Sequence, residues 1–302
     1  LKLLERLYAS VGDNVKAESI GEEALEVAKD VFGPNHIFVA EAINELALVK
    51  HFNKKPKNEI EDLFTKYLGI IAANIGENSP LYAEALENAS VFYLETGRLD
   101  KAMEVLDKAN TIWISRLGEQ NSHTARISYI KGDIFYLKKN YSEANAQFIK
   151  SKTMYAKLFD ADHPGYVEAL GRSAQMFYCL GDVKSSVLAS EETVQKSLIY
   201  LDKIFPTLSE RGKASYWEKV KNDYEFYKTL AFTQSATYPD MIGNVYNITL
   251  KTKSILLSSS IKVRERILKS GDTTLVKNYG KWIDKKEALT SVYSMNTTQR
   301  KE

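Results

Sequence analysis

The feature that most constrains this 302-residue chain is internal repetition, because a repeat decides the fold before any single residue does. Segments opening GENSPLYAEA at Gly76, GEQNSHTARI at Gly118 and DADHPGYVEA at Asp160 start 42 residues apart. A fourth, GPNHIFVAEA at Gly33, begins 43 residues before Gly76. Seven residues into each stands a small or short side chain: Ala40, Ala83, Ala125 and Val167. Each start leads into an apolar-periodic run, a short polar turn and a second run. The turns read ETGRLDKA (95–102), LKKNYSEA (137–144) and CLGDVKSS (179–186), and they place hairpin bends at Gly97, Asn140 and Gly181. A fixed period, a turn in fixed phase and no alternation of period two predict stacked helical hairpins. One hairpin cannot bury its own apolar face, so neighbours must stack. The expectation is an all-α superhelical solenoid of five hairpins over residues 1–201.

Beyond Leu201 the phase stops, and region 202–302 predicts three longer helices near 207–235, 240–270 and 274–294. Thr207-x-x-Glu210 is a capping-box signature for the first. Tyr238-Pro239-Asp240 interrupts the pattern, since a residue before proline avoids the helical region, and Gly271-Asp272 suits a C-terminal cap. Charge divides at the same place. Residues 1–202 hold 23 Lys+Arg against 29 Asp+Glu, and residues 203–302 hold 18 against 10. The tail's cations (Lys251, Lys253, Lys262, Arg264, Arg266, Lys269) recur at helical spacing, which describes a solvated face. Tyr216, Trp217, Tyr224 and Tyr227 read as helix-packing core rather than a base-stacking platform.

The repeat resembles the tetratricopeptide repeat. Leu86, Tyr93, Gly97, Ala102 and Ala109 stand at its small and aromatic slots in the third unit, and Gly132, Phe135, Tyr141, Ala144 and Phe148 in the fourth. The first unit shows Tyr8, Gly12, Ala17 and Ala24. The second departs in its turn, HFNKKPKNEIEDLF, with Pro56 and one extra residue. The fifth departs with Ser186 and Ser190 where alanine and a larger apolar residue are usual. A 42-residue period exceeds the usual ~34 and is similar to the longer-helix variety of kinesin light chains and many bacterial proteins. The resemblance implies that first helices line a concave groove. Its partner-binding residues would be Glu84, Glu87, Val91, Arg126, Tyr129, Asp133, Tyr136, Glu168, Gln175 and Tyr178. Glu41, Asn44, Leu48, His51, Leu94, Glu95 and Cys179 occupy further inward slots. Such a groove is mainly acidic with tyrosine and leucine patches. It suits a protein or peptide partner presenting a basic, or basic and apolar, segment. The lysine and asparagine of a carboxylate clamp are absent from those slots.

A second resemblance lies in LSERGKASYWEKV, NVYNITLKTKSILLSSS and the helix after SGD. These phrases look like the segment joining such repeats to a CHAT-family, caspase-like peptidase, with none of its catalytic residues. The resemblance implies a bacterial, cytoplasmic protein whose repeats recognise a partner or substrate and position a C-terminal peptidase domain. Two alternatives remain open: a free-standing adaptor, and a nucleic-acid-associated regulator using the basic helices. The first residue is Leu1 rather than methionine, so an upstream segment is expected to have been removed. The single cysteine, Cys179, excludes an intrachain disulfide. No Cys–His pairing, phosphate-binding loop, dinucleotide fingerprint or metal-ligand spacing is present. The expectation is therefore no catalytic site, metal or cofactor. No apolar run reaches the ~18–20 residues of a membrane helix, so no membrane partner is expected.

Overall fold

The computed structural model describes residues 14–205 and 210–294, and all regular structure among them is helical. Among the described residues nine helices lie in the repeat region: α1 (Asn14–Phe32), α2 (Ile37–Phe52), α3 (Lys57–Ile75), α4 (Pro80–Glu95), α5 (Leu99–Leu117), α6 (Ser122–Leu137), α7 (Tyr141–Leu158), α8 (Pro164–Cys179) and α9 (Val183–Ile204). Three more follow: α10 (Glu210–Thr233), α11 (Asp240–Leu268) and α12 (Thr273–Ser294). Tyr8, Gly12 and Thr207, which the sequence reading used, lie outside the described residues. The chain forms two compact units, Leu1–Ala189 and Ser190–Glu302, so the division falls inside α9.

The 42-residue period is written twice into the backbone. First helices α2, α4, α6 and α8 start after N-caps at His36, Ser79, Asn121 and His163. Each cap side chain accepts a hydrogen bond from a backbone N–H of the first turn, which otherwise lacks a partner. Ser79 Oγ accepts from Tyr82 N at 3.2 Å, and Asn121 closes a full capping box with Thr124. The two histidines act alike: His36 Nδ1 accepts from Phe38 N at 3.2 Å and His163 Nδ1 from Gly165 N at 3.1 Å. Their rings stack on the preceding helix end, His36 on Phe32 at 5.0 Å and His163 on Phe159 at 4.3 Å.

The second mark is the hairpin bend. Lys54, Gly97, Lys139 and Gly181 all have positive φ, between 55° and 83°. The bend expected at Asn140 centres on Lys139, one residue earlier, and Asn140 becomes the N-cap of α7. In the second hairpin the added residue lengthens the turn, and Pro56 serves as N-cap of α3. Pro at a helix start is tolerated because its missing N–H had no partner there.

Small residues let the helices close on one another. Ala40, Ala83, Ala102, Ala109, Ala125 and Ala144 are all fully buried. Two glycines go further: a Cβ added at Gly132 would lie 2.6 Å from the ring of Phe148, itself fully buried, and one added at Gly165 would lie 2.6 Å from the ring of Tyr155. Phe64 and Phe92 fill the corresponding spaces between the second and third hairpins, 5.5 Å apart by ring centroid. Ser186 keeps its place in the interior of the fifth hairpin because its hydroxyl donates to Ala174 O at 2.8 Å. Lys50, at the end of α2, is held by Glu22 of α1 at 2.9 Å and Glu59 of α3 at 2.5 Å, a lock between two hairpins.

Within the second unit Val194, Leu198, Leu201, Phe205, Tyr224, Tyr227 and Leu230 are buried. Tyr227 is 1% exposed, and burial raises the hydroxyl pKa of Tyr224. Asn244 of α11 donates to Glu191 at 3.0 Å. No helix among the described residues is long and apolar enough to cross a membrane.

Candidate functional site

Consecutive first helices adjoin, and a polar contact marks each step. Between α2 and α4, His51 meets Glu95 and Asn88 reaches Asn44 at 3.4 Å. Between α4 and α6, Glu87 meets His123 and Arg126, and between α6 and α8, Asp133 meets Arg172. The expected slots therefore come together on adjoining helices, with several changes of role.

Glu87 is the largest change. It is 1% exposed, so its carboxylate belongs to the interior and not to an open surface. Oε1 accepts from Trp113 Nε1 at 2.6 Å and lies 3.0 Å from His123 Nδ1. The indole and imidazole stack at 3.6 Å, nearly parallel. Arg126 Nη1 stands 3.7 Å from Oε2, which has no hydrogen-bond partner among the described atoms. A charge this deep is costly to leave unpaired, so Glu87 works as a post that ties α4, α5 and α6 together. Arg126 remains half exposed above it.

Asp133 is also engaged. Arg172 Nη2 donates to it at 2.5 Å and Arg172 Nη1 to Gln175 Oε1 at 2.9 Å. The guanidinium lies 4.7 Å from the Tyr136 ring centroid and 5.3 Å from that of Phe148, within the range of a cation–π contact. Burial pushes the Asp133 carboxyl up and Glu168 adds to this, against the pull of Arg172. Arg172 is the residue the sequence reading missed. It occupies the register slot of Ile130 and Asn88, so an arginine where the preceding unit has isoleucine was the available signal.

Of the remaining expected residues, Glu84 and Tyr178 are exposed, while Val91, Tyr129, Tyr136, Glu168 and Gln175 are half-buried. Val91 and Tyr129 pack against the core. Tyr129 also meets Phe148 edge-on at 5.5 Å. Glu84 gathers with Glu41 and Glu45 near Tyr67, whose hydroxyl is pushed up to about 12 by burial and by those three charges. Across α2, α4, α6 and α8 this face carries the carboxylates Glu41, Glu45, Glu84, Glu87, Glu95, Asp133 and Glu168. The guanidiniums Arg126 and Arg172 oppose them. Carboxylates thus outnumber guanidiniums among these first-helix residues, with Glu87 and Asp133 engaged internally and Glu95 with His51.

Burial pushes the Cys179 thiol up, away from the thiolate a nucleophile needs. His163 caps the far end of the same helix, ~24 Å away at 1.5 Å per residue. Among the described residues no cluster of His, Cys, Asp and Glu could hold a metal ion.

These hairpins, caps and bends define a helical-repeat solenoid of the tetratricopeptide type. Residues 6–37 match the tetratricopeptide repeat family model. Among solved structures, BtubC (BKLC) from P. vanneervenii is similar with a TM-score of 0.57 at 16% identity, covering 85% of this chain and 92% of that one. A Podosopora anserina protein of nearly identical TPR-like repeats, assigned as a kinesin light chain, gives 0.55 at 16%, covering 64% and 92%. The Rap protein complexed with competence and sporulation factor gives 0.53 at 14%, covering 87% and 74%. At these identities the likeness is one of fold. No curated protein sequence matches the chain.

Proposed function

We propose that the chain is a protein-interaction scaffold whose first-helix face, α2, α4, α6 and α8, takes a basic and apolar segment of a partner protein. The observation that carries this is the run of polar contacts linking those helices. It brings Tyr129, Tyr136 and Tyr178 onto neighbouring helices within a face where carboxylates outnumber guanidiniums. Tyrosines supply apolar area with little ordering cost, and the negative potential selects and steers the partner. Glu87 and Asp133 contribute through that field and through rigidity, not by direct pairing. The Rap structure, a solenoid of related fold with a bound factor, supports the general use of such an array. The phrases at 208–220 and 244–260 support a finer reading, in which the array serves a caspase-like peptidase. A free-standing adaptor fits the fold equally well.

The test is a selection from a random peptide display library against the intact chain. Enrichment of Lys or Arg beside Leu, Phe or Tyr is expected, with affinity falling about tenfold in Tyr178→Ala or Tyr136→Ala. Selected peptides that bind both variants as tightly as the parent would remove the assignment.

A further inference from the structure

A cavity of about 590 Å³ lies away from the first-helix contacts, between second helices α1 and α3. Leu25, Val39, Ile43 and Ile70 supply much of its apolar wall, with α2 beneath. One corner is fixed, because Asn74 Nδ2 of α3 donates to Asn35 O in the α1–α2 linker at 2.7 Å. Cavities of roughly 300–1,000 Å³ with a few placed polar groups suit small ligands.

Two features mark it as a site. Gly69 lines the cavity from the interior of α3, where glycine is the poorest residue after proline. No protein atom lies within 4 Å of a Cβ built on it, so internal packing does not require the glycine. The same register slot in the other second helices carries Glu26, Thr111, Thr153 and Gln195. The second feature is charge. Lys29 and Lys66 reach the lining from opposite helices. Lys29 is paired with Glu26 at 2.7 Å, whereas Lys66 forms no ion pair among the described residues. One unpaired cation over an apolar hollow matches one negative charge on an apolar body.

We propose that this cavity binds a small amphipathic monoanion, a free medium-chain acyl carboxylate, with its chain along Gly69 and Ile70 and its carboxylate on Lys66. The site is independent of the partner-binding face. The probes are 1-anilinonaphthalene-8-sulfonate as reporter and decanoate, decanol and decyltrimethylammonium as competitors, below micelle formation. The intact chain should show one reporter site that decanoate displaces. Decanol should compete about tenfold less well, the worth of one charge-assisted contact, and the cation not at all. Gly69→Leu should abolish reporter binding while helix content and Tm hold, since leucine favours the helix. Lys66→Gln should weaken decanoate about tenfold and leave decanol unchanged. Reporter binding that survives Gly69→Leu, or decanol competing as well as decanoate, overturns the proposal. So does a Lys66→Gln variant with parental affinity, an arm that holds even if the leucine variant misfolds.

Discussion

Gly132→Ala adds one methyl group at one of the two closest helix approaches seen among the glycines of the repeats, Gly165 against Tyr155 being the other. The new Cβ would meet three Phe148 ring atoms at 2.6–2.8 Å. The ring has little room to yield, being fully buried, edge-on to Tyr129 at 5.5 Å and under Arg172 at 5.3 Å. Overpacking of this kind costs about 1–3 kcal/mol, and the strong overlap places this site at the upper end. Alanine in a helix returns about 1 kcal/mol over glycine, leaving a net loss of about 1–2 kcal/mol. For a cooperative unit of this size that lowers Tm by about 3–6 °C. Gly69→Ala is the matched control: the same substitution in a helix interior, with open space around the new atom. It should gain about 1 kcal/mol and raise Tm by about 3 °C. Thermal unfolding followed by circular dichroism reads both, and Gly132→Ala combined with Phe148→Leu should recover part of the loss. A Gly132→Ala protein as stable as Gly69→Ala would refute the claim that the glycine is required by helix contact.

Glu87→Ala should cost about 1–3 kcal/mol by stranding the Trp113 indole N–H, with a shift in tryptophan emission as the stack on His123 loosens. An unchanged spectrum would contradict the post role. The Glu61 carboxyl is held below its ordinary range by hydrogen bonds from Lys101 and Arg98, against a smaller effect of burial. A depressed folded-state value stabilises the fold above the unfolded-state value and loses that contribution as pH falls through the folded one. Glu61→Gln should therefore flatten the acid side of a stability–pH curve below about pH 4.5 and leave its slope above pH 6 unchanged. Gly97→Ala, at φ +78°, should cost about 1–2 kcal/mol in urea titration, because a Cβ crowds the following carbonyl in the left-handed region.

The repeat was legible because its spacing is a backbone property: caps and bends must recur if hairpins stack, and Ser79, Asn121, Gly97 and Gly181 are types that do those jobs. The positive-φ lysines at 54 and 139 were not legible, since nothing in a lysine announces that conformation. The groove was legible as a set of slots but not as a set of roles. Spacing places Glu87 toward the first-helix face, yet only packing shows Trp113 drawing it inward. Glu87→Lys, a natural charge-reversal probe from sequence alone, would bury a cation beside Arg126 and report on folding. Arg172 escaped because a resemblance transfers slots, and its slot is not among the inward ones. His36 and His163 stand at the same place in their repeats, and capping of α2 and α8 is the reason.

The account rests on the first-helix face as the place where a partner is held. The most direct measurement is photo-crosslinking of the tightest selected peptide to chains carrying benzoylphenylalanine at single exposed positions. Positions 126 and 178 lie on the first helices α6 and α8, and positions 108 and 149 on the second helices α5 and α7. The expected result is crosslinking from 126 and 178 and none from 108 and 149. Crosslinks from the second-helix positions alone would contradict it.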